Sequence, residues 1–469
     1  MNSGMSLKHL MTLAAATLLI TSGCKTQMDP SDLPVETPDR FTASGTDAIP
    51  DRWWTAFQDP ELNVVVDSAL QSNFTLRTAW ERLNAAAATA DREAGALFPS
   101  LDASATGEVS RTRNDFRENE SVDLGLSSVY ELDVWGRIRS AVDAERFRTE
   151  ATFYDYQAAA LTLSAQIAQT WYRLADARSQ LQLVRDQIET NQTVLELLKN
   201  RFEIGIIRGV DVLRQQQLLE STREQESYAE SRVQVLENEL AILTGRTPQN
   251  AMDVTPDLVE HLPSLPETGI PADLLQRRPD VQSSFARLQA SDRDLASAIS
   301  SQYPRFTIRG NASTAAESTD DLFNNWAMSL AGNLLAPLFQ GGELRAEVDR
   351  NEAVRQQRLF EYGQNVLTAM REVEDAMVLE TTQVRSIRHI ERQLELANQS
   401  YRQLRVEYLS GGGNYLDVLT ALEGIQQLRR DLLTARLILV EYRISLYLSL
   451  AGSFETEREQ ENSTISEAR

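Results

Sequence analysis

Apolar side chains recur every seven residues along two separate stretches of the chain. One series in the first stretch is Leu174, Leu181, Ile188, Leu195 and Phe202, and a second series follows it by three residues. A two-position heptad pattern kept over about four heptads predicts a coiled-coil-like helix. Because residues 137–202 contain no glycine or proline, one helix of roughly 100 Å is expected there.

Glycines mark the end of this helix. Gly205 and Gly209 flank the next turn, and glycine adopts left-handed backbone angles without steric cost, which permits a tight reversal. A returning apolar series, Val212, Leu219, Val233 and Leu240, then leads to Gly245. Residues 136–245 are therefore predicted to form one long antiparallel helical hairpin.

The same pattern occurs a second time, farther along the chain. Ile387 minus Leu181 and Tyr408 minus Phe202 both equal 206, so the two heptad series are in register. Residues 342–452 are predicted to form the second long hairpin. A register kept over so long a distance indicates an internal duplication rather than two unrelated coiled coils.

Before each long hairpin, the apolar side chains recur at every second residue instead of in heptads. Leu101, Ala103 and Ala105 alternate with polar residues, and the alternation resumes after a polar loop. Residues 99–134 and 304–339 are each predicted to form two strands, which suit a transmembrane β-hairpin. A soluble sheet is the alternative, since alternation alone does not distinguish lipid from a protein core. Four strands are too few to close a barrel, so inserted strands would require several copies, and the sequence alone does not determine how many.

The repeats define the predicted domain organisation. Residues 51–247 form the first structural repeat, beginning at the packing anchors Trp53 and Trp54 and continuing into one helix over residues 62–97. Residues 248–271 contain several prolines and form a linker to the second repeat, residues 272–453. The polar and charged residues 454–469 are predicted to be a disordered tail.

The N-terminus has the pattern of a bacterial export signal. Residues 1–23 carry Lys8 before a short apolar run, and the small residues Ser22 and Gly23 precede Cys24. This pattern resembles the lipobox of bacterial lipoproteins, which implies diacylglycerol and palmitate on Cys24 and sorting to the outer membrane. Residues 24–50 would then be a lipid-anchored, extended tether. An ordinary signal peptide with a chance cysteine is the alternative.

Composition argues against several functional classes. The formal net charge of −22 disfavours nucleic acid as a partner. With three scattered histidines and one cysteine, a zinc site, a disulfide framework and histidine-based catalysis all lack support. The sequence Arg278-Pro279-Asp280 is better explained by a helix start, with Asp280 in the first turn, than by an active site. We therefore expect no metal and no enzymatic activity.

Four short motifs resemble one known family. They are residues 130–139 (YELDVWGRIR), 277–281 (RRPDV), 338–342 (LFQGG) and 415–419 (YLDVL). In this order on a duplicated scaffold they are similar to the signature stretches of TolC-like outer-membrane factors, closest to the lipoprotein efflux channels of the NodT and OprM type. The resemblance covers about residues 53–452.

This resemblance implies an architecture and a function. The fold would be mainly α with a small β part: duplicated helical hairpins form a trimeric α-barrel, and four strands per chain contribute to a shared 12-stranded transmembrane β-barrel. The homotrimer would be a passive efflux duct in the outer membrane, docking to a periplasmic adaptor and an inner-membrane pump of the resistance-nodulation-division class. The alternative is a lipid-anchored coiled-coil scaffold of the periplasm that does not conduct.

The two helix reversals are the candidate functional site. They contain Gly205 with Asp211, and Gly411 with Tyr415 and Asp417. By the resemblance, Asp417 matches a position that lines the periplasmic aperture of these channels, and Asp211 lies at the matching place on the neighbouring hairpin. A ring of such carboxylates would favour cations. The alternative is that both aspartates only N-cap the returning helices.

Overall fold

The computed structural model describes residues 35, 38–111, 118–257, 262–316 and 322–460. Eight α-helices and four strands are described in these ranges. In chain order they are α1 (Pro60–Ser72), α2 (Phe74–Ala94), β1 (Ser100–Arg111), β2 (Glu118–Leu132), α3 (Arg137–Glu203), α4 (Gly209–Leu243), α5 (Pro271–Arg277), α6 (Pro279–Ser300), β3 (Arg305–Ala316), β4 (Trp326–Leu335), α7 (Glu343–Leu409) and α8 (Tyr415–Leu450).

The order of elements repeats, as the heptad register predicts. Helices α3 and α7 have 67 residues each, and the returning helices α4 and α8 have 35 and 36. Each long helix follows a strand pair. The prediction of a mainly helical, internally duplicated fold with four strands is confirmed.

The predicted single helix over residues 62–97 is wrong, because the chain breaks it at Asn73. The backbone of Asn73 is extended, its side-chain oxygen accepts a hydrogen bond from the Leu76 amide at 3.0 Å, and its Nδ2 donates to the Leu243 carbonyl at 2.9 Å. Asn73 therefore ends α1 and caps α2, as a residue that competes for backbone hydrogen bonds can.

The described residues belong to two compact units. One unit combines residues 82–152 with residues 283–364, and the other combines residues 37–81, 153–282 and 365–469. The first unit holds an antiparallel sheet in the order β1-β2-β3-β4. Each neighbouring pair in that order is antiparallel. Because β1 and β4 stand at the two ends of the order, they are the edge strands.

The second unit has an aromatic core. Trp53 and Trp54 are fully buried, as predicted for packing anchors. The ring of Trp53 stacks on Tyr447 with centroids 5.9 Å apart, and its Nε1 donates a 3.0 Å hydrogen bond to the Ser164 hydroxyl. These contacts join α3 and α8 over a separation of hundreds of residues.

The segment predicted as a free tether is docked over its last part. Phe41 is buried. The Gly45 amide donates to the Pro266 carbonyl at 3.0 Å, and the Glu267 amide donates to the Asp47 carbonyl at 2.8 Å. The tether prediction is therefore wrong for residues 41–50, because the linker between the repeats offers backbone partners that no local pattern reveals.

The start of the predicted disordered tail is also ordered. Phe454 is buried and meets Trp54 edge-on, with ring centroids 4.9 Å apart. The hydroxyl groups of Tyr156 and Thr456 are 2.8 Å apart. The prediction is wrong for residues 454–460, and residues 461–469 lie outside the described residues.

Candidate functional site

The sheet of the first unit has one apolar face and one polar face. Residues directly opposite each other in an antiparallel ladder share a face. One four-strand row consists of Ala103, Leu126, Ala312 and Met328. The adjacent row, which points to the other face, consists of Asp102, Ser127, Asn311 and Ser329. The alternation seen in each strand therefore adds up to two faces of opposite character.

The apolar face is exposed in the single chain. The exposed fraction is 81% for Met328, 82% for Leu330 and 73% for Leu101. Soluble monomers rarely expose a contiguous apolar surface of this kind. A surface of this kind is typical of a face that contacts lipid or another protein.

Aromatic side chains lie at one end of the sheet. Because the strands alternate in direction, the start of β1 and β3 and the end of β2 and β4 are at the same end. Phe98, Trp135, Tyr303 and Phe339 lie there, next to the strands. Trp135 stacks on Tyr303 with centroids 5.0 Å apart and donates from Nε1 to the Pro304 carbonyl at 2.8 Å. Aromatic girdles of this kind are typical of membrane–water interfaces.

The YELDVWGRIR motif forms the joint between β2 and α3. The Asp133 carboxylate accepts from the Ile138 and Arg139 amides at 3.0 and 2.9 Å, which satisfies the N-terminus of α3. Glu131 and Arg137 form an ion pair of 2.9 Å across the turn, and Gly136 has a φ of 78°. The motif thus has a structural role, connecting the sheet to the first long helix.

Both hairpins reverse in the same way. Gly205 and Gly411 have φ angles of 76° and 87°. The Gly205 amide donates to the Phe202 carbonyl at 2.9 Å, and the Gly411 amide donates to the Tyr408 carbonyl at 3.2 Å. Left-handed glycine at a helix C-terminus is the expected solution, so the predicted reversals are present at both places.

Neither aspartate is an N-cap, so the capping alternative is wrong. The N-cap residues are Arg208, which makes no side-chain cap, and Asn414, whose side chain accepts from the Leu416 amide at 3.1 Å. Asp211 and Asp417 lie in the first turns of α4 and α8. There a carboxylate still interacts favourably with the positive end of the helix dipole.

The two aspartates differ in exposure. Asp417 is exposed, whereas Asp211 is 5% exposed and lies 3.7 Å from Arg208 and 3.9 Å from Arg214. The Asp211 Oδ1 atom is buried without a hydrogen bond. Of these two carboxylates, only that of Asp417 is exposed to solvent in the single chain.

The two reversals meet within the second unit. The Tyr415 hydroxyl donates to Gln215 Oε1 at 2.5 Å, which joins α8 to α4. The guanidinium of Arg201 lies 5.1 Å from the centroid of the Tyr408 ring. A small apolar cluster of Leu198, Tyr415, Val418 and Leu419 surrounds the bond. Burial raises the pKa of both Tyr415 and Tyr408 above the usual value, so both hydroxyls are protonated at neutral pH, and that of Tyr408 is buried without a hydrogen-bond partner.

A chain of buried amides, which the motifs of the sequence do not predict, extends this contact along the helices. Gln215 Nε2 donates to the Asn191 carbonyl at 2.9 Å, and Gln426 Nε2 donates to Asn191 Oδ1 at 3.0 Å. Asn191 in turn donates to Thr222 Oγ1 at 2.9 Å. The available signal was that Asn191 occupies an apolar position of the heptad, where a polar residue often specifies register.

Other candidate features add little to the site. Cys24, the proposed lipidation site, lies outside the described residues. Among the residues that the structure describes, no three or more His, Cys, Asp or Glu side chains are grouped so as to hold a metal ion. In the same part of the chain, no helix combines the length and the apolar character needed to cross a membrane.

Several known proteins are similar to this chain over most of its length. Residues 65–246 and 270–452 match the family model described as "Outer membrane efflux protein". The pyoverdine export outer membrane protein OpmQ of Pseudomonas aeruginosa is 29% identical over 472 residues, which cover 97% of this chain and 99% of that relative.

A second relative and a solved structure show the same similarity. Nodulation protein T of Rhizobium leguminosarum bv. trifolii is 26% identical over 420 residues, covering 86% of this chain and 89% of that protein. The structure of the outer-membrane channel OprN is similar with a TM-score of 0.80 and 26% identity, over 89% of this chain and 98% of that one. The resemblance inferred from the motifs is confirmed, and the chain belongs to the outer membrane efflux protein family.

Proposed function

We propose that this chain forms the outer-membrane duct of an efflux system, with the apolar face of its sheet against lipid and the polar face against the aqueous path. The observation that carries this proposal is that one face of the sheet is apolar and exposed, while a row across the opposite face consists only of polar side chains. A periplasmic coiled-coil scaffold would not need such a sheet. The relatives are transport proteins rather than enzymes, and this chain is assigned a passive role.

The edge strands support assembly into a homotrimer. In lipid every unpaired backbone group costs several kcal/mol, and β1 and β4 each have a free edge in the single chain. Because β1 and β4 run in opposite directions, β4 of one copy can pair with β1 of the next in a closed ring. Three copies give the 12 strands that the family resemblance implies. Light scattering of the detergent-extracted protein tests this, and a monodisperse, folded monomer contradicts it.

The partners are a periplasmic adaptor and an inner-membrane pump, which we place in the resistance-nodulation-division class. The hairpin reversal at Gly205 supports docking, since Ile204, Ile206 and Leu213 are 70%, 58% and 64% exposed. Because a passive duct does not itself provide energy for transport, the pump would drive it.

Membrane insertion is tested by moving one charge between the two faces. Met328 and Ser329 are neighbours on β4 and point to opposite faces. Met328→Arg places a charge against lipid, which costs about 2–4 kcal/mol per copy near the bilayer midplane, so we expect little assembled protein in outer-membrane fractions. Ser329→Arg is the matched control and should assemble normally. Equal assembly of the two variants would overturn the assignment of the faces.

The lipid anchor has a separate test. Diacylglycerol and palmitate on Cys24 would add to the membrane attachment that the strands provide. Palmitate labelling of the wild-type protein should disappear in Cys24→Ser, while the strands still insert. Since the chain has no other cysteine, labelling that persists in the variant contradicts lipidation at this residue.

A further inference from the structure

A groove of about 410 Å³ lies in the second unit, where α3, the start of α6, α7 and α8 meet. The motif residue Arg278 is at its base, and the proposed duct has no role for it. The walls are largely apolar and include Leu161, Leu379 and Leu448, with Tyr442 beside them. This size and lining are those of small-molecule sites.

The groove borders the core of the second unit, and Leu161 and Leu448 belong to both. On α8 the core contains Val440, Ile444 and Tyr447, whereas the groove is lined by Tyr442, Ser445 and Ser449. At about 100° per residue the two sets lie roughly 160° apart around the helix. The core side also carries the packed segment that includes Trp53 and Phe57. The groove therefore opens away from this packed segment.

The charges of the groove favour a cation. Arg278 is only 9% exposed and forms 2.7 Å ion pairs with both Asp280 and Glu372, so its charge is not available to an anion. Asp375 is 64% exposed, and its ion pair with Arg371 is long, at 3.9 Å. One arginine and three carboxylates therefore line the groove, and once Arg371 is counted against Asp375, one negative charge is left over.

We propose that this groove binds amphipathic organic cations of drug-like size. The ammonium or iminium group of the ligand pairs with Asp375 and approaches the ring of Tyr442, where cation–π attraction adds to the charge. The apolar part packs between Leu161 and Leu379. The proposal goes beyond the proposed function, since the groove and its charges belong to the single chain.

Binding of rhodamine 6G, a lipophilic cation, to the purified full-length protein in detergent tests this, with fluorescence anisotropy as the readout. We expect saturable binding that Asp375→Asn weakens about tenfold, or about 1.4 kcal/mol. Leu379→Trp should abolish binding by filling the groove. Asp186→Asn, which changes an exposed aspartate of α3 away from the groove, is the matched control and should bind as the wild type does.

Sulforhodamine B, an anionic dye with the same type of ring system, should not bind saturably. The proposal is overturned if the wild type does not bind rhodamine 6G, if both groove variants bind it unchanged, or if the anionic dye binds equally well. Conductance in a planar bilayer separates this result from the duct itself. If the wild-type protein conducts but does not bind the dye, only the proposed cation site is contradicted. If it binds the dye but does not conduct, the proposed duct is contradicted and the cation site is supported.

Discussion

The hydroxyl of Tyr415 donates a 2.5 Å hydrogen bond to Gln215 Oε1 and thereby links the two hairpins next to their reversals. Both partners are buried, with exposed fractions of 3% and 0%. The amide of Gln215 uses its Nε2 to reach the Asn191 carbonyl. This one contact therefore connects the start of α8 with α4 and α3.

Removing this hydroxyl should loosen the junction. Tyr415→Phe keeps the ring but leaves Gln215 Oε1 buried without a donor, which costs about 1–3 kcal/mol. We expect amide hydrogen exchange in residues 415–420 to become about tenfold faster. Tyr228→Phe, at a 69% exposed tyrosine of α4, is the control and should leave exchange unchanged. Equal exchange in the wild type and Tyr415→Phe would show that the bond contributes nothing to the junction.

The exposed aspartate of the second reversal should influence ion selectivity. Asp417→Asn preserves the shape of the first turn of α8 and removes its charge. If three copies surround the aperture, the reversal potential of the variant in a salt gradient should lie closer to the value of a non-selective channel. Block by multivalent cations should also be weaker. Asp211→Asn is a matched comparison because Asp211 is buried, and it should change selectivity little. A folded Asp417→Asn trimer with wild-type selectivity would limit Asp417 to its interaction with the helix dipole.

Asp176 should make stability depend on pH. Burial raises the pKa of this carboxyl from 3.8 to about 6. The folded state therefore holds a proton that the unfolded state releases, so this contribution to stability is fully present below pH 3.8 and is lost as pH rises to about 6. At pH 7 the buried charge costs on the order of 3 kcal/mol.

Asp176→Asn should therefore be more stable than the wild type at pH 7, by up to about 3 kcal/mol, with a smaller difference near pH 4. Denaturant midpoints at the two pH values measure this. Asp186→Asn, on the same helix but exposed, serves as the control. A difference between wild type and Asp176→Asn that is the same at both pH values would contradict the raised pKa.

Docking of the N-terminal segment should depend on Gly45. A Cβ at this position would lie 1.8 Å from the Leu265 carbonyl oxygen and 2.6 Å from that of Pro266, both backbone atoms. Gly45→Ala should displace the segment and increase cleavage within residues 41–50 by a nonspecific protease, mapped by mass spectrometry. Gly95→Ala, where the added Cβ meets nothing within 4 Å, should cleave as the wild type does. Protection that survives in Gly45→Ala would show that the segment docks in another way.

The sequence by itself determined the helices, the strands and their duplication. The heptad series through Leu181 and Ile387 and the alternation beginning at Leu101 depend only on neighbouring residues, because each element presents its apolar side chains at its own period. Reversals at Gly205 and Gly411 followed from the same local logic, since a positive φ favours glycine.

Only the tertiary structure decided how these elements are joined. It showed that Asn73 ends a helix, that residues 41–50 are docked, that Phe454 is packed and that Asp211 is buried while Asp417 is exposed. The break at Asn73, the docking of residues 41–50 and the packing of Phe454 each depend on a partner far along the chain, as does the contact of Tyr415 with Gln215, 200 residues away. A local pattern records which face of an element is apolar, but the free energy of burying a polar group depends on the partner that the fold brings to it.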